Sequence, residues 1–359
     1  MIPEAGERKV SKMAETGGVL SSAPGGAPSR PMRALRLLLF SDYLVLVLTL
    51  VYVAALWLFV PEILSPTNLQ DVFLQILPLF IAALGLMMVL MVAQIDLSAT
   101  SIMAMGCVVG ASIMTGEGGY LAGQPWAPAV AILAIVAIGI LIGVINGVCT
   151  IVFDMPSFLV TLTTMMFFSG AAIWYTAAHT SSGSSIGSLP PAFLDIGYGG
   201  VAGIPYAAII TVVLAIVVHL LLTRTVFGRW VRAVGLNPKA AAISGVPVRA
   251  VVIGCFALSG LFAAFAAIIY TARLEAGTPI LGQRILLDVI GAAVIGGVSL
   301  FGGKGTVIGV LLGVLFLSAV DNGLQLLGLS LSSVYAIKGG VILLAAVTDA
   351  IRHTLMARG

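Results

Sequence analysis

From Asp42 to Ala350 the chain is a nearly unbroken series of apolar runs, and their length leaves few folds open. The runs fall at 42–60, 71–93, 97–114, 127–150, 157–177, 205–223, 250–271, 286–302, 305–325 and 331–350. An apolar stretch of about 18–20 residues with few charges is long enough to cross a bilayer as a helix. Apolar residues make up 60% of the 359 and charged residues only 9%, against roughly half and a quarter in a soluble domain. A β-barrel is excluded, because its strands would alternate over about ten residues rather than stay apolar for twenty. The expectation is an all-α integral membrane protein, a bundle of about ten transmembrane helices, with the eighth run short and Gly-rich.

Charge distribution orients that bundle. Of the 17 Lys and Arg, all but Arg273, Arg284 and Lys338 fall on one side if the N-terminus is inside. Arg8, Lys9, Lys12, Arg30, Arg33 and Arg36 precede the first run; Arg224, Arg229, Arg232, Lys239 and Arg249 share one break; Lys304, Arg352 and Arg358 complete the set. Basic residues gather on the cytoplasmic side of short loops, which places both termini in the cytoplasm. Residues 1–36 read as a disordered cytoplasmic tail, 37–352 as the membrane domain and 353–359 as a short C-terminal tail. The first run is too long for a signal-peptide core and reads as an uncleaved span. Cys107, Cys149 and Cys255 lie within the runs and read as small packing residues.

The break at 223–249 is the most informative segment. Asn237 is a good N-cap, and Pro238 occupies the first helical position, where a missing N–H costs nothing. Lys239 to Ser244 then form about two turns; Gly245 supplies a left-handed stop and Pro247 blocks continuation. Ala240, Ala241 and Ala242 give this short helix a face without bulk, suited to a partner's groove. An ordinary basic loop accounts for the charge but not for the caps.

Elsewhere the connections are short, except 178–204, which carries no Lys or Arg and falls outside. Long loops in compact domains are usually functional or disordered. Gly139, Gly143 and Gly147 recur every fourth residue, a spacing that lets membrane helices approach closely. A faint internal echo exists: Asp96 opens one run and Asn146-Gly147 lies in the next, as Asp288 and Asn322-Gly323 do later.

Asp96, Asp288 and Asp321 lie at or within runs, where a charge is expensive and normally faces a cavity or a partner. In Gln94-Ile95-Asp96-Leu97-Ser98, Asp and Ser suit a helix N-terminus. Asp321-Asn322-Gly323 suits a polar solute or a helix end, and Lys338 can snorkel or pair with an acid. Catalytic signatures are missing: no His-Glu-x-x-His, no Cys pair at metal spacing, and only His179, His219 and His353. Gly297 to Thr306 resembles a phosphate loop, but five residues separate Gly297 from Gly303, and Gly305 stands where Ser or Thr should follow Lys304. No cofactor or metal is expected, and energy from ATP would have to come through another subunit.

The run Gly228-Arg229-Trp230-Val231-Arg232-Ala233-Val234-Gly235-Leu236-Asn237-Pro238-Lys239-Ala240-Ala241-Ala242-Ile243-Ser244-Gly245-Val246 closely resembles the cytoplasmic loop of ribose-type ABC importer permeases. Ile95-Asp96-Leu97-Ser98, Pro156-Ser157-Phe158-Leu159-Val160-Thr161-Leu162 and the stretch from Leu287-Asp288 to Gly303-Lys304-Gly305 agree. The similarity covers about residues 40–350. In two places the chain departs from the pattern: Ala93-Gln94 replaces a glycine pair, and Thr163 replaces a glycine.

The resemblance implies a permease of the bacterial inner membrane that works as a homodimer or heterodimer with cytoplasmic ABC ATPases and a periplasmic sugar-binding protein. It would import a monosaccharide or related polyol, in contact with membrane lipid and with no nucleic acid. Residues 237–245 would form the coupling helix, with Gly228, Arg229, Arg232, Gly235, Asn237, Ala240, Ala241, Ser244 and Gly245 at the ATPase contact. Asp96, Ser98, Asn146, Phe158, Thr161, Asp288 and Asn322 are the candidate translocation residues. A branched-chain amino-acid permease is the nearest rival. An ion-coupled secondary transporter would favour paired charges at the bilayer midplane and leave the capped loop unexplained. A membrane-embedded enzyme lacks its catalytic cluster.

Overall fold

A computed structural model describes residues 43–180, 183–282 and 285–357. The tail expected at 1–36 and Arg284 lie outside the described residues. Thirteen α-helices are present among the described residues, in the order α1 Tyr43–Trp57, α2 Pro66–Met91, α3 Ala99–Met114, α4 Ala127–Val152, α5 Ser157–His179, α6 Pro191–Tyr198, α7 Tyr206–Arg224, α8 Val226–Leu236, α9 Pro238–Ile243, α10 Val248–Leu274, α11 Leu286–Ile295, α12 Val307–Leu326 and α13 Leu331–Ala357. Six of them, α2, α4, α5, α7, α10 and α12, are long and apolar enough to cross a membrane. The remaining expected spans correspond to shorter apolar helices: α1, α3, α11 and the Leu331–Val347 part of α13.

The core forms around α2 and α10. Ser65 caps α2 by accepting a hydrogen bond from the Asn68 N–H at 3.3 Å, and Pro66 starts it. Every residue from Ile76 to Met91 is buried. Helix α4 lies against α10 through the glycine face expected from the sequence. A Cβ on Gly139 would strike the Gly260 carbonyl, one on Gly143 the Phe256 carbonyl, and one on Gly147 the Ile253 backbone. Lipid tails are as apolar as the side chains, so close van der Waals approach replaces the hydrophobic drive between helices.

Two connections turn back into the bundle. After Met91 the chain reverses and brings Asp96 to Ser259, about 16 Å along α10 at 1.5 Å per residue. Helix α3 therefore starts at depth. The second re-entrant segment follows α10: a Cβ on Gly277 would meet the Cys107 carbonyl and Ala111, while Gly282 abuts Thr100, near the other end of α3. The Cys107 thiol donates to the Thr278 carbonyl at 3.1 Å. This segment leads into α11, which has only 10 residues instead of the run expected at 286–302. Gly296 and Gly297 end it, and a turn reaches Thr306, whose hydroxyl caps α12. A 10-residue helix rises about 15 Å, half of a bilayer core.

The long connection at 178–204 is built rather than loose. It holds α6 and a two-stranded hairpin, Gly200–Val201 against Ile204–Pro205, whose turn residues Ala202 and Gly203 both have positive φ. Phe193 of α6 is fully buried, and the Tyr198 hydroxyl donates to the Arg273 carbonyl at 2.7 Å. At the other end of the chain α13 continues to Ala357, so most of the expected tail at 353–359 is helical.

Candidate functional site

The break between α7 and α10 folds into a two-helix hook. Thr225 caps α8 by accepting from the Gly228 N–H at 3.3 Å. Asn237 ends α8 and starts α9, its side-chain oxygen accepting from the Ala240 N–H at 3.0 Å. At the far end the Val246 N–H donates to the Ala241 carbonyl and the Gly245 N–H to that of Ala242, both at 3.0 Å, with Gly245 at φ +80°. This pair of bonds around a left-handed glycine is a Schellman stop. Both caps read from the sequence are therefore formed, and they hold a helix of 6 residues that could not persist alone.

The hook presents a mixed face. Arg229, Lys239 and Arg249 are exposed and Arg232 is half-buried. Leu236 and Ile243 stand 76% and 89% exposed at the two ends of α9, large apolar side chains largely uncovered by the described residues. Ala240, Ala242, Ser244 and Gly245 are exposed beside them. The expected flush alanine face changes in one respect: Ala241 is only 5% exposed and belongs to the core. It points into this chain because the short turn from Asn237 must pack α9 back onto α8. Gly228 and Gly235 are buried too. A Cβ on Gly228 would strike the Leu222 carbonyl, and one on Gly235 the Met91 carbonyl and the Gly303 amide. These two glycines attach the hook to the bundle.

That attachment reaches far. The Gly303 N–H donates to the Met91 carbonyl at 2.8 Å, and Gly302 abuts the Gly235 carbonyl and Ala93. Helix α8, the end of α2 and the turn at 296–306 meet here. The resembled phosphate loop is this turn, its glycines used for close approach. A displacement of the hook therefore bears on the end of α2 and on the 296–306 turn after α11 at once.

The candidate translocation residues sort into two clusters. In the first, one Asp96 oxygen accepts from the Ser98 N–H at 2.9 Å and hydroxyl at 2.6 Å, and the other accepts from the Ser259 hydroxyl at 2.7 Å. Asn146 donates to the Ser98 hydroxyl at 2.7 Å and accepts from Thr164 at 2.8 Å. The Thr161 hydroxyl reaches the Ile95 and Ser157 carbonyls at 3.2 and 2.9 Å. Asp96, Ser98, Asn146 and Thr161 are all buried. These bonds tie the segment that leads into α3 to α4, α5 and α10 inside the bundle. Phe158 does not join it; the ring is 53% exposed.

In the second cluster the Lys338 ammonium lies 2.7 and 2.8 Å from the two Asp288 oxygens and 2.9 Å from one Asp321 oxygen. The other Asp321 oxygen accepts from Gln325 at 2.6 Å. Three helices, α11, α12 and α13, are thus joined by two acids and one base. Asn322 stays apart, in a reciprocal amide pair with Asn68 of α2 at 2.7 and 3.0 Å. The internal echo is consequently structural in its first half only. Ser259, Thr164 and Asn68 escaped the sequence reading because a lone hydroxyl or amide in an apolar run has many uses; only the distant partner reveals one.

An apolar bundle interrupted by two re-entrant segments and carrying an exposed, capped basic hook has the make-up of a transport permease. Residues 68–346 match the family model described as the branched-chain amino acid transport system / permease component, and the chain belongs to that family. It is 36% identical over 304 residues to the L-arabinose ABC transporter permease protein AraH of Azospirillum brasilense, covering 85% of this chain and 86% of that one. To the ribose import permease protein RbsC of Bacillus subtilis (strain 168) it is 36% identical over 292 residues, 80% of this chain and 86% of the relative. The galactose/methyl galactoside import permease protein MglC of Salmonella typhimurium is 33% identical over 304 residues, 82% and 89%. No solved structure gives a significant match.

Proposed function

We propose that this chain is the membrane-spanning subunit of an ATP-driven importer that passes a monosaccharide or related polyol across the bacterial inner membrane. It receives the solute from a periplasmic binding protein and works with a second permease copy and cytoplasmic ATPase subunits. In this reading about ten helices cross the membrane and both termini are cytoplasmic, as the placement of Lys and Arg favours. The sugar reading is supported by the arabinose, ribose and galactose permeases among its relatives. The family description also covers branched-chain amino-acid permeases, so uptake must discriminate the two.

The observation that carries the proposal is the pair of exposed apolar side chains, Leu236 and Ile243, flanking a helix whose ends are fully capped. Capping without burial fits a surface held ready for a partner. Closure of the ATPases pushes α9, and the Gly235 contact with Met91 and Gly303 passes the push to α2 and to the 296–306 turn. The bundle then exchanges one packing for another with no substrate chemistry. Asp288 and Asn322, which are not sealed, border the path; Asp96, Ser98, Asn146 and Thr161 position α3 beside it.

The test is a co-purification and uptake experiment on the assembled complex. Ile243→Asp together with Leu236→Asp is expected to abolish recovery of the ATPase and uptake of labelled sugar, while the permease stays inserted. Normal recovery and uptake in that variant would remove α9 as the docking element. Uptake of leucine but of no sugar would replace the substrate class.

A further inference from the structure

A cavity of about 320 Å³ opens at the end of the bundle opposite the hook, formed by the start of the 115–126 loop, the end of α5 and the segment 183–188. Its size is at the lower end of the roughly 300–1,000 Å³ of small-molecule sites. Ser112, Thr115, Glu117, His179, Thr180 and Ser188 supply its polar wall, and Ile186 is the one large apolar side chain among the described residues that line it. We propose that this cavity is a permease-borne subsite for a neutral polyhydroxylated solute. The proposal rests on the orientation given under the proposed function, which puts this mouth on the periplasmic side.

Three features of the wall point to that ligand class. First, the hydroxyls of Ser112, Thr115, Thr180 and Ser188 already donate within the protein. With the Glu117 carboxylate they therefore offer acceptor oxygens to a molecule that brings a hydroxyl donor at nearly every carbon. Second, Glu117 is exposed into the opening, with one carboxylate oxygen accepting from Ser188 at 3.0 Å. A carboxylate can take adjacent hydroxyls as a fork, and hydrogen bonds to a charged group are the strong ones. Third, no Lys or Arg is among the described residues that line the cavity. A zwitterionic amino acid would find a partner for its ammonium at Glu117 but no cation for its carboxylate. A branched aliphatic side chain would find little beyond Ile186.

The wall is also braced. Thr115 donates to the Gly187 carbonyl at 2.7 Å, and the Gly116 N–H donates to that of Ser188 at 2.9 Å. His179 is stacked on Tyr175 with centroids 4.2 Å apart and bonded to the Tyr120 hydroxyl at 2.6 Å. The same segment is tied to the second re-entrant element, because Ile186 and Gly277 exchange both backbone hydrogen bonds at 2.9 Å. A solute seated here touches a wall that is continuous with the segment leading to α11 and Asp288.

The test uses the full permease in lipid nanodiscs, without binding protein or ATPase, and saturation-transfer NMR with L-arabinose, D-ribose, D-galactose and L-leucine. At least one sugar should give a saturable signal and leucine none. Glu117→Gln should weaken the sugar about ten-fold, the loss expected for bonds to a charge, and Ser188→Ala by a smaller factor. Absence of any sugar signal from the wild type would overturn the proposal, as would a signal that neither substitution changes. Sugar uptake by the assembled complex separates the two readings: normal uptake with no sugar signal discards the subsite and keeps the importer. Capture of the binding protein that falls with Glu117→Gln, while the isolated permease gives no sugar signal, would reassign the cavity as a docking surface and likewise overturn the subsite.

Discussion

Asp96 and Asp288 stand at comparable places, each beside the start of a short helix that follows a re-entrant segment, yet the bundle satisfies them by opposite means. Asp96 takes three hydrogen bonds from neutral groups, two of them from Ser98 two residues away. Asp288 depends on Lys338, fifty positions along the chain and on another helix. The first arrangement is buried and mostly local, and only its Ser259 bond depends on a neighbouring helix. The second holds only while α11 and α13 stay in register, and Asp321 shares the same ammonium. A device that must change packing can part the second cluster and leave the first intact.

The largest way to break this contrast is Lys338→Met. It leaves two carboxylates half-buried without their cation, a loss of about 3–5 kcal/mol in the usual range for stranding one member of a buried pair. Thermal unfolding in detergent should show it, and adding Asp288→Asn should restore part of the loss. A variant as stable as wild type would mean the triad is already solvated.

Ser259→Ala sharpens the other side. Asp96 then loses one of three donors, and the expected cost is about 1–2 kcal/mol. The same unfolding measurement reads it, with the fall predicted to be clearly smaller than for Lys338→Met. An equal fall would erase the distinction between the clusters. The smallest effect belongs to Asn68→Ala, which removes the neutral pair with Asn322 next door to Asp321. Interhelical hydrogen bonds in membranes average about 0.6 kcal/mol, so the midpoint should barely move. A large shift would make Asn68 part of the charged cluster's support.

Much of this was legible along the chain. The apolar runs predicted where the helices lie, because spanning length and the lack of charge are local properties. Asn237, Pro238 and Gly245 predicted the start of α9 and, to within one residue, its end, since caps act within one turn. The spacing of Gly139, Gly143 and Gly147 marked the α4 contact face. Less legible was which way a short element faces: Ala241 reads like its neighbours in sequence and differs from them only by packing against its own chain. The run at 286–302 hid a half-length helix, because its glycines at 296 and 297 suit a packed span as well as a turn.

Sequence alone thus determined a membrane bundle, its capped basic hook and the positions of its costly acids, all consequences of length, charge and neighbours within a turn. Only the tertiary structure decided that Asp96 answers to Ser259, that Asp288 and Asp321 share Lys338, and that Gly235 seats the hook against Met91 and Gly303. Those partners lie far apart along the chain. A buried polar group needs a partner, but its chemistry does not say which helix will bring one.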